Sequence, residues 1–237
     1  MPDLSPRKAG IVACSCEELA EGTVTRLAAL KVLHALRPQD TVTICLPLFL
    51  AGGQGDRAFA RFHPTITVDG CELRCAARAT EMHSGKPAVS LVVSELLAAR
   101  GMDKPEGRRR LNEAGRRAVE VLAEVLAAEV DKVLGRRGRL ATTHGAEPQS
   151  RGQAACSCGS GIPVTVLSIA GQPVELVALP LVLQQFREAG RQPDEILARE
   201  LLDAVKVYNL IPPQLEAVYR QAILAEYAAS LEQEAAK

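Results

Sequence analysis

The chain has no tryptophan, and its three tyrosines and four phenylalanines bring aromatics to only 3%. A surface that stacks successive bases needs more rings than that, so a single-strand nucleic-acid platform is excluded. Neither sign of charge is in excess: 28 Lys plus Arg stand against 28 Asp plus Glu, for a formal net charge of +0. Dedicated nucleic-acid binders carry a basic surplus, so no nucleic-acid partner is expected. The run Arg108-Arg109-Arg110 with Arg116-Arg117 then reads as a solvated helix face. No apolar run approaches the length of a membrane span. The first residues, MPDLSPRK, do not resemble a charged leader followed by an apolar core. A cytoplasmic location is therefore expected.

Several chemical motifs are missing as well. There is no Cys-x-x-Cys, which removes the thioredoxin-type pair and the zinc ribbon. A Cys-x5-Arg phosphate loop fails because Ala77 stands where the arginine is needed after Cys71. The stretch Ala51-Gly52-Gly53-Gln54-Gly55-Asp56 lacks the Lys-Ser/Thr of a P-loop and reads as a plain turn. The four histidines, His34, His63, His83 and His144, have no partner at a ligand-like spacing.

What is present is an ordinary globular composition, 47% apolar and 24% charged, with seven cysteines in 237 residues. The first hundred residues alternate strand-like and helix-like segments. Strands are predicted over 8–13, 41–46, 65–68 and 88–93, with helices over 17–36 and 72–83 and a shorter one over 56–62. Parallel pairing follows, because strands joined through helices need crossover connections. The fold class is α/β: a three-layer open parallel sheet flanked by helices. A long helix over 108–134 comes next, with Val119, Leu122, Leu126, Val130 and Val133 as its apolar stripe. That stripe packs either on the domain or on a second subunit, so a homodimer stays open.

Residues 135–153 are polar, rich in Gly and Arg, and without periodicity, which marks a linker. A small α+β module occupies 154–237. It opens with a hairpin around Ala170-Gly171-Gln172, then a helix stopped by Gly190. A second helix, capped by Asp194, carries Ile196, Leu197, Leu201, Leu202 and Val205. The last helix has Leu215, Val218, Tyr219 and Ile223 inward. The predicted domains are thus 1–134 and 154–237.

The cysteines fall at informative places. Cys14 and Cys16 follow the first predicted strand, Cys45 ends the second, and Cys71 follows the third. In an open parallel sheet the carboxyl ends of the strands share one edge, where ligands bind. Cys75 lies four residues after Cys71, one turn away on the same face if both are helical. Soft thiolates at one edge select zinc, copper(I) or an iron–sulfur cluster. In a reducing compartment such cysteines more often hold metal or do redox chemistry than staple a fold. Asp69 and Gly70 precede Cys71. Asp69 either caps the following helix, the preferred reading, or accepts from an amide behind a ligand, and Gly70 allows close backbone approach. Cys156 and Cys158 form a second Cys-x-Cys pair, a candidate metal or redox pair or a surface pair without a role.

The segment Thr65-Ile66-Thr67-Val68-Asp69-Gly70-Cys71-Glu72-Leu73-Arg74-Cys75-Ala76 resembles the defining stretch of the DGC-domain family, with Cys14 and Cys45-Leu46 in matching order. The resemblance runs over about residues 8–102 and leaves the long helix outside. That family is described as zinc-binding through four cysteines, which implies Cys14, Cys45, Cys71 and Cys75 as ligands here. Cys16 departs from the pattern, so either or both of Cys14 and Cys16 can serve. The C-terminal module, with Asn209-Leu210-Ile211-Pro212 and Tyr219-Arg220, is similar to a small accessory domain of redox and metal proteins.

The leading expectation is a cytosolic metal-binding protein with zinc as cofactor, an iron–sulfur cluster being the alternative. Its role would be metal or cofactor handling with a protein partner. A thiol redox or sulfur-transfer enzyme and a plain interaction module are the competing readings.

Overall fold

The computed structural model describes residues 8–135 and 162–235. The predicted linker, and with it Cys156, Cys158 and His144, lies outside the described residues apart from Gly135.

The chain begins with β1 (Ala9–Ala13), α1 (Ala20–Lys31) and one π-helical turn over Val32–Leu36. It continues through β2 (Thr41–Thr43), α2 (Leu46–Ala51), α3 (Gln54–Arg57), α4 (Phe59–Phe62) and β3 (Thr65–Asp69). Then come α5 (Cys75–His83), β4 (Val89–Val92), α6 (Val93–Ala99) and the long α7 (Glu113–Val133). The four strands form one parallel sheet in the order β2-β1-β3-β4. Thr41 pairs with Ala9, Thr65 with Gly10 and Val89 with Ile66.

Side chains alternate across this sheet with the two-residue period of a strand. Ala9, Ile11 and Ala13 of β1 and Ile66 and Val68 of β3 join the core beneath α1, α6 and α7. Val12 turns to the other face and packs with Ile44, Phe49, Phe59, Ala76 and Ala79 from the α2, α4 and α5 side. The same alternation puts Asp69, the residue after Val68, on the α5 side.

The long helix settles on the domain itself. Val119, Leu122, Leu126 and Val130 are buried in the core that α1 also lines. Asn112 caps α7, its side chain accepting from the Gly115 amide at 2.7 Å. A buried ion pair locks the far end. The Arg37 Nε donates to Asp131 Oδ1 at 2.8 Å and its Nη2 to Oδ2 at 2.6 Å. The π-helical turn supplies that arginine, through the Arg37 amide donating to the Val32 carbonyl at 2.8 Å. Lys31 also pairs with Glu120 along the α1–α7 seam.

The C-terminal region holds β5 (Val164–Ile169), β6 (Gln172–Val177), α8 (Leu179–Glu188), α9 (Glu195–Lys206), a 3-10 turn over Pro213–Leu215 and α10 (Glu216–Ala235). β5 and β6 are an antiparallel hairpin whose loop residues Ala170 and Gly171 both have positive φ, 52° and 77°. A two-residue loop of this kind matches the strand twist, and alanine is an unusual occupant of it. Asp194 caps α9 as expected, accepting from the Leu197 amide at 2.6 Å. One inward assignment is corrected: Val218 is 38% exposed. Tyr227 instead is fully buried, its hydroxyl donating to the Arg191 carbonyl at 2.8 Å. This core reaches across to the sheet domain, for Ala58 and Phe62 belong to it and the Phe62 and Tyr208 rings lie 5.4 Å apart.

Candidate metal centre

Each of the first three strands is followed, at the same edge of the sheet, by a cysteine. Cys14 comes directly after β1, Cys45 two residues after β2 and Cys71 two residues after β3. The strand order puts β1 between β2 and β3, so Cys14 is central and the chain reverses its direction of winding between β1 and β3. A ligand crevice opens at such a reversal. Cys14, Cys16, Cys45, Cys71 and Cys75 are all free thiols; Cys45 and Cys75 are exposed, and the other three are half-buried.

Two details differ from the expectation. The strand at 41–46 ends at Thr43, and Cys45 is the residue that precedes the first turn of α2. Pro47 near the start of α2 explains the early helix, since its fixed φ suits the first turn. The helix predicted over 72–83 starts only at Cys75. Cys71 to Arg74 form a turn, closed by the Arg74 amide donating to the Cys71 carbonyl at 3.2 Å, with Arg74 at φ 51°. Cys71 and Cys75 therefore do not share a helix face; they stand at the two ends of a tight turn.

Cys14 is the most elaborately held of the five. The Gly70 amide donates to its Sγ at 3.2 Å, the Cys16 amide donates to it as well, and the Thr25 hydroxyl lies 4.0 Å away. Burial pushes the Cys14 thiol above its usual range and the nearby Asp69 charge adds to this, while the amide and hydroxyl contacts pull it back. Ser15 at φ 50° turns the chain so that its own amide reaches Thr25 Oγ1 at 3.2 Å. Thr25 in turn donates to the Gly22 carbonyl at 2.7 Å.

Asp69 caps α5, the preferred reading. Its 1% exposed carboxylate accepts from the Ala76 amide at 2.7 Å and the Ala77 amide at 3.1 Å. Arg74 occupies the cap position without a side-chain bond, so Asp69 does the capping from the end of β3. Burial raises its carboxyl above the ordinary range, against the pull of those two amides and of Arg74.

Gly70 is needed for close approach. A methyl group there would sit 3.1 Å from the Gly22 nitrogen and 3.2 Å from the Glu21 carbonyl carbon. At Gly22 the crowding is worse: a Cβ would lie 2.1 Å from the Cys16 carbonyl oxygen. Gly22 and Thr25 were not among the candidate site residues. A glycine inside a helix costs about 1 kcal/mol against alanine, which is itself a signal of close packing.

The donor chemistry fits a soft metal, because every candidate is a thiol and two backbone amides already face the central sulfur. The sphere is not assembled: among the described residues, no three His, Cys, Asp or Glu side chains stand grouped to hold a metal ion. Binding would require the exposed Cys45 and Cys75 and the turn carrying Cys71 to close on Cys14.

The fold and this edge define an open, doubly wound α/β domain with thiols at the carboxyl ends of its strands. Residues 10–127 match the family model of the DGC domain, and over those residues the chain belongs to the DGC-domain family. The match runs beyond residue 102 and takes in most of α7, so the long helix is part of the family domain. No curated protein and no solved structure matches the chain. Among the described residues no helix is long and apolar enough to cross a membrane.

Proposed function

We propose that the carboxyl edge of the sheet binds a thiophilic metal ion, with Cys14, Cys45, Cys71 and Cys75 as thiolate ligands, and that the protein handles metal or a metal cofactor. The observation that carries this is the placement of three strand-end cysteines along one edge of a β2-β1-β3 array, with Cys75 one turn beyond. Zinc is the preferred metal, since four thiolates make a closed tetrahedral site for it. Cys14 is preferred to Cys16 because its sulfur faces the β3–α5 turn, whereas the Cys16 backbone is pinned against Gly22.

The redox and sulfur-transfer reading needs an activated thiol. Burial moves Cys14 away from that condition. A metal displaces the thiol proton on binding, so a raised thiol is compatible with ligation at higher pH.

The test is elemental analysis of anaerobically purified protein, with absorption spectrum and free-thiol count on one sample. About one zinc per chain with four thiols protected is expected. Cys14→Ser and Cys71→Ser should each lose the metal, and Cys16→Ser should keep it. Iron with sulfide and visible absorbance would replace zinc by a cluster. Metal retained in Cys71→Ser would overturn the proposal.

A further inference from the structure

A second site lies away from the cysteines. Between the sheet domain and the C-terminal region is a cleft of about 570 Å³, walled by α3, α4 and the end of α5 on one side. The other wall is β6 and the turn after α9. Its volume falls within the range of small-molecule sites. Arg57, Arg61 and His83 come from the first wall, and Glu175, Tyr208 and Tyr219 from the second.

The two arginines are underused. The Nε of Arg57 and the Nε of Arg61 are both buried without a hydrogen-bond partner. Their remaining bonds are to main chain: Arg57 Nη2 to the Leu50 carbonyl at 3.2 Å and Arg61 Nη1 to the Ser84 carbonyl at 3.4 Å. Among the described residues neither guanidinium has a carboxylate at ion-pair distance, although the exposed Arg74 and Arg117 and the half-buried Arg191 all do. Burial alone pulls the Arg61 guanidinium below its usual range, with no opposite charge to offset it. Arginine stays protonated in proteins, so this is a cation that has lost water and gained no counter-ion. An oxyanion matches the planar fork of a guanidinium.

We propose that this cleft binds a small organic oxyanion, a phosphate or carboxylate held by Arg57 and Arg61, with the organic body against Tyr208, Tyr219 and Leu176. The site is distinct from the cysteine edge. α5 runs from Cys75 at the carboxyl edge to His83 in the cleft, about 12 Å along its axis. Neither half of the chain holds the cleft alone, so the ligand would also fasten the C-terminal region to the sheet domain.

The full chain is titrated calorimetrically with phenyl phosphate and, separately, with benzoate, at physiological salt. Saturable binding of one equivalent is expected, with a rise in Tm. Arg57→Gln and Arg61→Gln should each weaken it by about tenfold or more. Binding of phenyl phosphate alone assigns the phosphate class, binding of benzoate alone the carboxylate class, and binding of both the oxyanion in general. Without ligand, Arg61→Gln should melt no lower than the parent chain, since it removes an uncompensated buried charge. A Cys71→Ser chain should bind the probes unchanged, which separates this site from the metal reading. No binding of either probe at millimolar concentration, or binding by both arginine variants as tight as by the parent chain, overturns the proposal.

Discussion

Replacing Asp69 by alanine should unseat the start of α5 and with it the turn that presents Cys71 and Cys75. The carboxylate accepts from two amides, Ala76 at 2.7 Å and Ala77 at 3.1 Å, and is 1% exposed. Among the described residues no other side chain caps this helix, because Arg74 holds the cap position in a left-handed conformation. Each buried amide left without an acceptor costs about 1–3 kcal/mol. Relief of the carboxylate's own desolvation returns part of that. The net loss is therefore about 2–4 kcal/mol for Asp69→Ala. Asp69→Asn keeps one acceptor oxygen but turns an NH2 toward the second amide, and should cost about half as much. Urea unfolding with an unchanged m-value measures both. The pH dependence has a definite sign. Folding raises the Asp69 carboxyl, so its contribution is full below the unfolded value of about 3.9 and declines as pH rises through the folded one. Asn at this position removes that slope. It also removes a negative charge that raises the Cys14 thiol, so Cys14 should alkylate faster at pH 8 in Asp69→Asn. A cost below about 1 kcal/mol for the alanine variant would refute the capping argument.

Three more outcomes follow from the geometry. Gly22→Ala should destabilise by about 3 kcal/mol or more and Gly70→Ala by about 1–2, because the first drives a methyl into backbone at 2.1 Å and the second only to 3.1 Å; equal costs in thermal unfolding would contradict this order. Asp131→Ala should cost about 3–5 kcal/mol by removing the carboxylate to which both Nε and Nη2 of the buried Arg37 donate, and Arg37→Met with Asp131→Leu should recover much of it, checked by a double-mutant cycle in urea. Burial pulls His63 down to about 4, between the Phe59 and Phe62 rings; its depressed value means stability held above about pH 6.5 is lost as pH falls toward 4, by up to about 3 kcal/mol, and a His63→Gln chain with the same acid slope would refute the assignment.

The local instructions were readable in the chain. The β-branched run Thr65-Ile66-Thr67-Val68 predicts a strand and Asp69 a cap for the helix after it, and Asp69 does cap α5. Asp194 and Gly190 mark helix ends by their own chemistry, and Ala170-Gly171 marks the hairpin. The order of cysteines behind successive strands is enough to predict a thiol-lined edge, because parallel pairing puts like ends together. Spacing alone misplaced Cys71, since a Cys-x3-Cys interval fits a helical turn and a loop turn equally. Only the αL backbone of Arg74 decides between them.

Other features exist only in three dimensions. Arg37 meets Asp131 across ninety-four positions of sequence. Gly22 is required by the backbone of Cys16, and Gly70 by Gly22. The cleft needs Arg57 and Arg61 from one half of the chain and Tyr208 and Tyr219 from the other. Periodicity, capping and turn preference act over a few residues and are written in the order of side chains. Which distant backbones touch, which thiol is buried and which charge lacks a counter-ion depend on how whole layers pack, and those distances are set by the fold alone.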